Sequence, residues 1–313
     1  MISNKKISVV IPAYKVGNHI KNVVDSIPKE VDFIVIVNDG CPSGSTVNIT
    51  TNESLFICQH EVNKGVGAAV VTGYKKSMEL GADIVVKVDG DGQMDLDYLQ
   101  FLLEPVLTGV SDYSKGNRFK DFNALKKMPK IRLFGNSVLS FMVKASSGYW
   151  NIMDPTNGYT AISKRSLLKL NLDSLAKRYF FESDMLINLN IANCIVSDVS
   201  IPAKYKDESS SLSVTKTIFE FPILLFLGLV KRVFYKYFVY DFNMASVYMI
   251  FGIPMTLFGF LYGSYSWYQA VSSGVEASTG TVMLSALPII LGIQFLLQAV
   301  SIDINNMPNK TSL

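Results

Sequence analysis

Up to Ile201 the chain alternates short runs of consecutive apolar residues with longer segments whose apolar positions recur at helical spacing. Runs at residues 7–11, 33–37, 55–59 and 84–88 read as strands, and the segments 17–26 and 65–80 read as helices between them. Strands that are apolar throughout, rather than at every second position, are buried on both faces, which predicts a mostly parallel sheet covered by helices. Beyond residue 91 the pattern becomes α+β. Helices are predicted near 96–107, 131–145 and 183–192, and strands near 113–119, 159–162 and 195–201. The expected fold class is therefore α/β with a mostly parallel, mixed sheet of nucleotide-binding type, and fold class alone does not name a reaction.

A second pattern follows. Residues 242–275 contain no charged residue, and after Glu276 the chain is uncharged again from 277 to 302. A helix needs ~20 apolar residues to cross a bilayer, so each stretch can hold one span. A pair of buried core helices is the alternative, but such helices seldom lack charge for so long. Lys231, Arg232 and Lys236 precede the first span, Lys310 follows the second, and the connection carries no Lys or Arg. The positive-inside rule then puts both termini and the first domain in the cytoplasm. The segment 206–216 is Ser-rich and polar and reads as a loop. Between it and the spans, 219–240 mixes aromatic and basic residues, and its uncharged core is too short to span; it reads as an amphipathic helix in the membrane surface. The expected organisation is a cytoplasmic domain over 1–215, a juxtamembrane segment over 216–241, a transmembrane hairpin over 242–303 and a cytoplasmic tail over 304–313.

Composition adds little to this picture. The net charge of +3 is too small to argue for nucleic acid. The cysteines, Cys41, Cys58 and Cys194, are odd in number and lack metal-site spacing, as expected of reduced thiols. Nothing at the N-terminus resembles a signal peptide, since Met1 to Lys6 leads directly into a strand.

The candidate chemistry lies where the strand at 84–88 meets Asp89-Gly90-Asp91-Gly92-Gln93. Two carboxylates at the C-terminal edge of a sheet sit where open α/β folds bind ligands. Carboxylates this close repel unless a cation lies between them, and Mg²⁺ favours a few carboxylates together with substrate phosphate oxygens. A tight turn is the competing reading, since Asp and Gly are common turn formers. An EF-hand is excluded because its Gly and Glu positions hold Met94 and Gln100. The dinucleotide fingerprint also fails, because Gly65-Val66-Gly67 is followed by Val70 at the third Gly position, and no Walker A motif occurs.

Taken in order, Val10-Ile11-Pro12-Ala13-Tyr14, Val37-Asn38-Asp39-Gly40, Asn63-Lys64-Gly65-Val66-Gly67, Val88-Asp89-Gly90-Asp91-Gly92-Gln93, Gly116-Asn117-Arg118-Phe119 and Asp154-Pro155-Thr156-Asn157-Gly158-Tyr159, with the paired C-terminal spans, resemble the family-2 glycosyltransferases. Within that family the resemblance is to the polyprenyl-phosphate glycosyltransferases related to dolichyl-phosphate mannose synthase. It implies a GT-A fold and an inverting, metal-dependent transfer of a sugar from a nucleotide donor to undecaprenyl or dolichyl phosphate at a bacterial plasma membrane. Pro12, Ala13, Tyr14, Asp39, Gly65, Asp89, Gly90 and Asp91 would then bind the nucleotide sugar. Asp89, Asp91 and Gln93 would hold Mg²⁺ or Mn²⁺, and Arg118, Arg132, Lys204 and Lys206 the acceptor phosphate. Asp89, Asp91, Asp154 and Arg118 form the expected catalytic set. The family also forms homo-oligomers through its membrane segments.

Asp154 either orients the sugar or acceptor or caps a turn before Pro155, and Asp39 has an Asx turn as its alternative. Glu182 and Asp184 open a predicted helix, where compensation of the helix dipole is their default explanation. His19 and His60 stand in no recognisable spacing and read as structural. The segment from Ala203 to Ser209 departs from the family pattern, as do Lys15 and Cys41 beside the nucleotide site. Two other functions stay open: transfer to a hydroxyl of a lipid-linked saccharide, which would need a general base such as Asp154 or Asp184, and nucleotide-sugar binding without turnover.

Overall fold

The computed structural model describes residues 1–17, 19–42, 44, 46, 49–119, 130–202 and 214–309, with backbone only at 130–134 and 214–219. The chain divides into two compact units, the first Met1–Arg232 with Pro308–Leu313 and the second Val233–Met307.

The first unit is built on a sheet of seven strands in the order β3-β2-β1-β4-β6-β5-β7. They are β1 (Ile7–Ala13), β2 (Phe33–Asp39), β3 (Leu55–His60), β4 (Ile84–Lys87), β5 (Tyr113–Asn117), β6 (Thr160–Ser163) and β7 (Val196–Ser200). β1, β2, β3 and β4 are mutually parallel, with Val10 opposite Val35 and Val9 opposite Val86. β6 runs antiparallel to both β4 and β5, so β5 and its parallel neighbour β7 point the same way as β4. All seven strands fall where the apolar runs predict them.

Because successive side chains of a strand point to opposite faces, β1 feeds two cores at once. Ile7, Val9, Ile11 and Ala13 pack with Ile20 and Val23 of α1 (His19–Asp25) and with Leu99, Leu102, Leu103 and Val106 of α3 (Leu99–Leu107). Val10 faces the other side, where Val70 and Tyr74 of α2 (Val66–Glu79) are buried, together with Val143 of α4 (Lys130–Ser147). A short α5 (Lys164–Lys169), which the sequence pattern does not predict, follows β6, and α6 (Phe181–Ile191) adds Phe181, Met185, Leu186 and Leu189 to the same core.

The last helix to join this unit, α7 (Val214–Phe234), packs through a narrow stripe. Leu225 is buried, and Gly228 lets the helix approach the Ile187 side chain. Arg232 is buried too, donating from Nε to Ser146 O at 2.8 Å and from Nη2 to Ala145 O at 3.0 Å, which satisfies carbonyls left open at the end of α4. Ile223, Phe226, Leu227, Val230 and Phe234 form an opposite stripe that is exposed. The amphipathicity expected of this segment is thus of an unusual kind, with one apolar face packed and the other bare.

In the second unit, α8 (Met244–Ser273) and α9 (Thr279–Asn305) are long and apolar enough to cross a membrane. They pack closely because small residues stand at the contact: a Cβ on Gly259 would lie 2.7 Å from Ser285 O, and one on Gly292 2.9 Å from Gly252 O. Asn243 caps α8 in a capping box with Ser246. At the far end of α9, Asp303 accepts a hydrogen bond from Tyr237 at 2.7 Å.

Candidate active site

The strand directions bring the predicted residues to one edge. β1 to β5 and β7 all run the same way, and β6, antiparallel between β4 and β5, begins at the edge where they end. That edge therefore collects the end of β1 at Pro12 to Tyr14, Asp39 closing β2, His60 closing β3, the D-x-D turn after β4, Arg118 after β5 and the 154–158 turn before β6. With strands ~4.8 Å apart, the ends of β4 and β5 are about 10 Å from each other across β6.

On the β1–β3 side of the edge, Asp39 is 2% exposed and its carboxylate accepts three hydrogen bonds from one loop and one ring. Its Oδ1 accepts from His60 Nδ1 at 2.7 Å and Lys64 N at 2.9 Å, and its Oδ2 accepts from Gly65 N at 2.8 Å. Since a carboxylate only accepts, the ring proton facing it is on Nδ1. Thr72 stands 2.9 Å from the other ring nitrogen. Asp39 thus fixes the loop before α2, and His60, which spacing alone did not connect to anything, holds Asp39. Gly65 has φ +100, and a Cβ there would lie 2.9 Å from Arg178 Cγ and press on Lys177 O, so only glycine fits. Ala13 is fully buried, whereas Tyr14 is 40% exposed and presents its ring at the rim.

The D-x-D turn packs under the same rim, for a Cβ on Gly90 would lie 3.3 Å from Pro12 O. Gln93 N donates to Asp91 Oδ1 at 2.9 Å, and Asp89 N to Met94 Sδ at 3.3 Å. Asp89, about one-third exposed, has Lys87 Nζ 2.9 Å from its Oδ1. Lys87 is buried, and its Nζ is also 2.7 Å from Glu182 Oε1. Burial pushes this ammonium down, but Asp89 and Glu182 outweigh burial and hold its pKa above the usual lysine value. Lys115 on β5 is buried as well; its Nζ donates to Asn157 O and lies 3.6 Å from Glu182 Oε2. There burial wins over the attraction of Glu182 and Asp154, and the pKa is lowered. Glu182 stands in the first turn of α6 as expected, but its carboxylate serves these two lysines rather than the helix end. Asp184 accepts from Ala176 N at 2.8 Å, and its burial raises its pKa.

Across β6, Asp154 is wholly buried and grips Arg118 in a fork. Arg118 Nε donates to Oδ2 at 2.7 Å, Nη2 to Oδ1 at 3.1 Å, and the Arg118 backbone N to Oδ2 at 3.2 Å. Arg118 itself remains 39% exposed. The fork orients the guanidinium while leaving part of it at the surface, an arrangement suited to gripping phosphate oxygens. Arg132 lies in the first turns of α4, where only the backbone is described, and Lys204 and Lys206 lie outside the described residues.

The set suits a divalent cation carried in with substrate. Asp89 and Asp91 offer hard oxygen atoms at an accessible turn, and among the described residues no group of three or more His, Cys, Asp or Glu forms a metal cage. Two carboxylates completed by substrate phosphates and water is the usual way Mg²⁺ is held.

Comparison with known proteins bears on the family and the fold. The model of Glycosyl transferase family 2 matches residues 8–170. A UDP-N-acetylglucosamine–dolichyl-phosphate N-acetylglucosaminyltransferase of Methanococcus voltae is 33% identical over 225 residues, covering 66% of this chain and 89% of that protein. An undecaprenyl-phosphate mannosyltransferase of Micrococcus luteus is 27% identical over 166 residues, covering 51% of this chain and 66% of that protein. Among solved structures, glucosyl-3-phosphoglycerate synthase from Mycobacterium tuberculosis, in complex with Mn²⁺, UDP and glucosyl-3-phosphoglycerate, superposes with a TM-score of 0.53 at 18% identity, covering 74% of this chain and 80% of that one, a likeness of fold. The match of the family model, from the first strand to beyond β6, makes this chain a member of glycosyl transferase family 2.

Proposed function

We propose that this glycosyltransferase moves a sugar from a nucleotide donor to a polyprenyl phosphate, with inversion, at the cytoplasmic face of a bacterial plasma membrane. The observation that carries the reading is the Arg118–Asp154 fork on the same sheet edge as the D-x-D turn, about 10 Å away across β6. The named relatives act on dolichyl and undecaprenyl phosphate, which supports the acceptor class. The two apolar helices and the bare stripe of α7 support a site beside the bilayer.

The reaction forms a bond between a lipid-phosphate oxygen and the anomeric carbon as the bond to the nucleoside diphosphate breaks. A phosphate monoester has its second pKa near ~6, so the acceptor arrives ionised and needs no strong base. Asp154 therefore orients Arg118 rather than taking a proton, and its buried fork leaves it poorly placed for base catalysis. Arg118 brings the acceptor phosphate toward a second anion that would otherwise repel it. Asp89 and Asp91 would hold the divalent cation, whose charge would stabilise the departing diphosphate; that a protein of like fold was solved with Mn²⁺ and UDP supports a divalent metal in general. The Asp39-held loop and the Tyr14 ring would frame the nucleotide.

The test is nucleoside-diphosphate release by the detergent-purified full chain, across a panel of sugar nucleotides that includes UDP-N-acetylglucosamine. Release is expected to require polyprenyl phosphate and divalent metal, and to disappear in Asp91→Ala. Donor binding with no release in the presence of lipid phosphate would favour the hydroxyl-acceptor or binding-only readings.

A further inference from the structure

Behind the D-x-D turn lies a set of buried charges that the transfer reaction as described does not use. Lys87 closes β4, a strand otherwise apolar, and Lys115 lies on β5, with β6 between them. Their side chains are 3% and 0% exposed. Glu182 reaches in from α6 and meets both, at 2.7 Å from Lys87 and 3.6 Å from Lys115. Each lysine has a second partner on the catalytic edge: Lys87 touches Asp89, and Lys115 donates to the carbonyl of Asn157, in the turn that begins with Asp154. Charge therefore alternates from Asp89 through Lys87, Glu182 and Lys115 toward the Asp154–Arg118 fork.

Stability does not account for such a set. Withdrawing an ion from water costs several kcal/mol, and replacing a buried ion pair by apolar residues of similar volume is often neutral or stabilising. Apolar residues fill the neighbouring positions of β4 without difficulty. The contacts instead run to the edge that carries the candidate site, through Lys115 to the Asn157 carbonyl and through Lys87 to the Asp89 carboxylate. Its Oδ1 is held by Lys87, and its Oδ2 lies where a Cβ on Gly158 would come within 2.6 Å.

We infer that Glu182 is a positioning residue for the D-x-D turn: by sharing the Lys87 ammonium it keeps Lys87 from pairing fully with Asp89, and so keeps Asp89 available to a cation. The inference rests on the functional reading above and extends it to a residue on a distant helix. It also carries a sign. Without the Glu182 charge, Asp89 is the one anion left in contact with Lys87 among the described residues, their pairing tightens, and Asp89 becomes a poorer ligand.

A double-mutant cycle tests this on the full chain in detergent. The readout is Mn²⁺ affinity in the presence of UDP and, separately, GDP, followed by the electron paramagnetic resonance signal of free Mn²⁺. Glu182→Gln is expected to weaken Mn²⁺ binding about tenfold, and to have less than about a twofold effect when Lys87 is already Met. Glu182→Gln/Lys115→Met, in which the buried charges balance again, covers the case in which the single variant does not fold, and the same tenfold weakening is expected of it. Unchanged Mn²⁺ affinity in the Glu182 variants, or an equal loss in both Lys87 backgrounds, would overturn the inference. Wild-type protein that binds no Mn²⁺ with either diphosphate would overturn the functional reading and this inference with it.

Discussion

The two halves of the sheet edge are built differently. On the parallel half, the side proposed to take the donor is a set of loops held by backbone N–H groups, with Asp39 gathering Lys64 N and Gly65 N and Gly90 packed against Pro12. On the mixed half, the side proposed to take the acceptor is held by charge, with Asp154 gripping Arg118 and Lys115 reaching Asn157. Backbone cradles select by shape and fit a neutral base and ribose, whereas a forked guanidinium selects an anion. The D-x-D turn stands between the two and shares features of both.

This division can be broken from either side. The largest effect belongs to the shared turn: Asp91→Asn should lower kcat by about 10³-fold, as expected for losing several kcal/mol of charge stabilisation, in steady-state assays saturated with donor and lipid. Next is Asp154→Asn. The charge left behind, Arg118, is 39% exposed and can be solvated, so the first unit should lose about 1–3 kcal/mol in denaturant titrations while Arg118 loses its fork. Arg118→Lys keeps the charge but not the fork; it should raise KM for polyprenyl phosphate about tenfold and leave donor KM unchanged, the split that separates the two halves. The smallest effect is predicted for His60→Ala, which leaves Asp39 with its backbone partners: donor KM should rise a few-fold, with about 1–3 kcal/mol of stability lost to the unmet buried carboxylate, and acceptor KM should not move.

The donor half was the more legible in sequence, and for a physical reason. Apolar strand runs and the loops that follow them are local, so 84–88 followed by Asp89 and Asp91 announces a buried strand with two carboxylates at its end. The charged half depends on partners far apart in the chain. Lys87 meets Glu182 across 95 residues, and Arg118 meets Asp154 across 36. No periodicity encodes such pairs, and Glu182 at a helix start has an adequate local explanation that the fold does not use. One signal was available: a lysine inside a run of valines, as Lys87 is, must have a buried anionic partner. His60 was missed likewise, because its tie to Asp39 comes from the pairing of β2 with β3. Nor does the sequence reveal that Arg232, among the basic residues before the first apolar helix, is buried against the end of α4.

The central claim is that the acceptor is an ionised phosphate received by Arg118. The most direct measurement is the bond formed in the lipid product, read by phosphorus NMR and mass spectrometry after incubation with donor and both kinds of acceptor, polyprenyl phosphate and a lipid-linked saccharide. The account predicts a sugar joined through its anomeric carbon to the lipid phosphate, with inverted configuration, and no product on the saccharide. A glycosidic bond to a saccharide hydroxyl, with polyprenyl phosphate left unmodified, would contradict it.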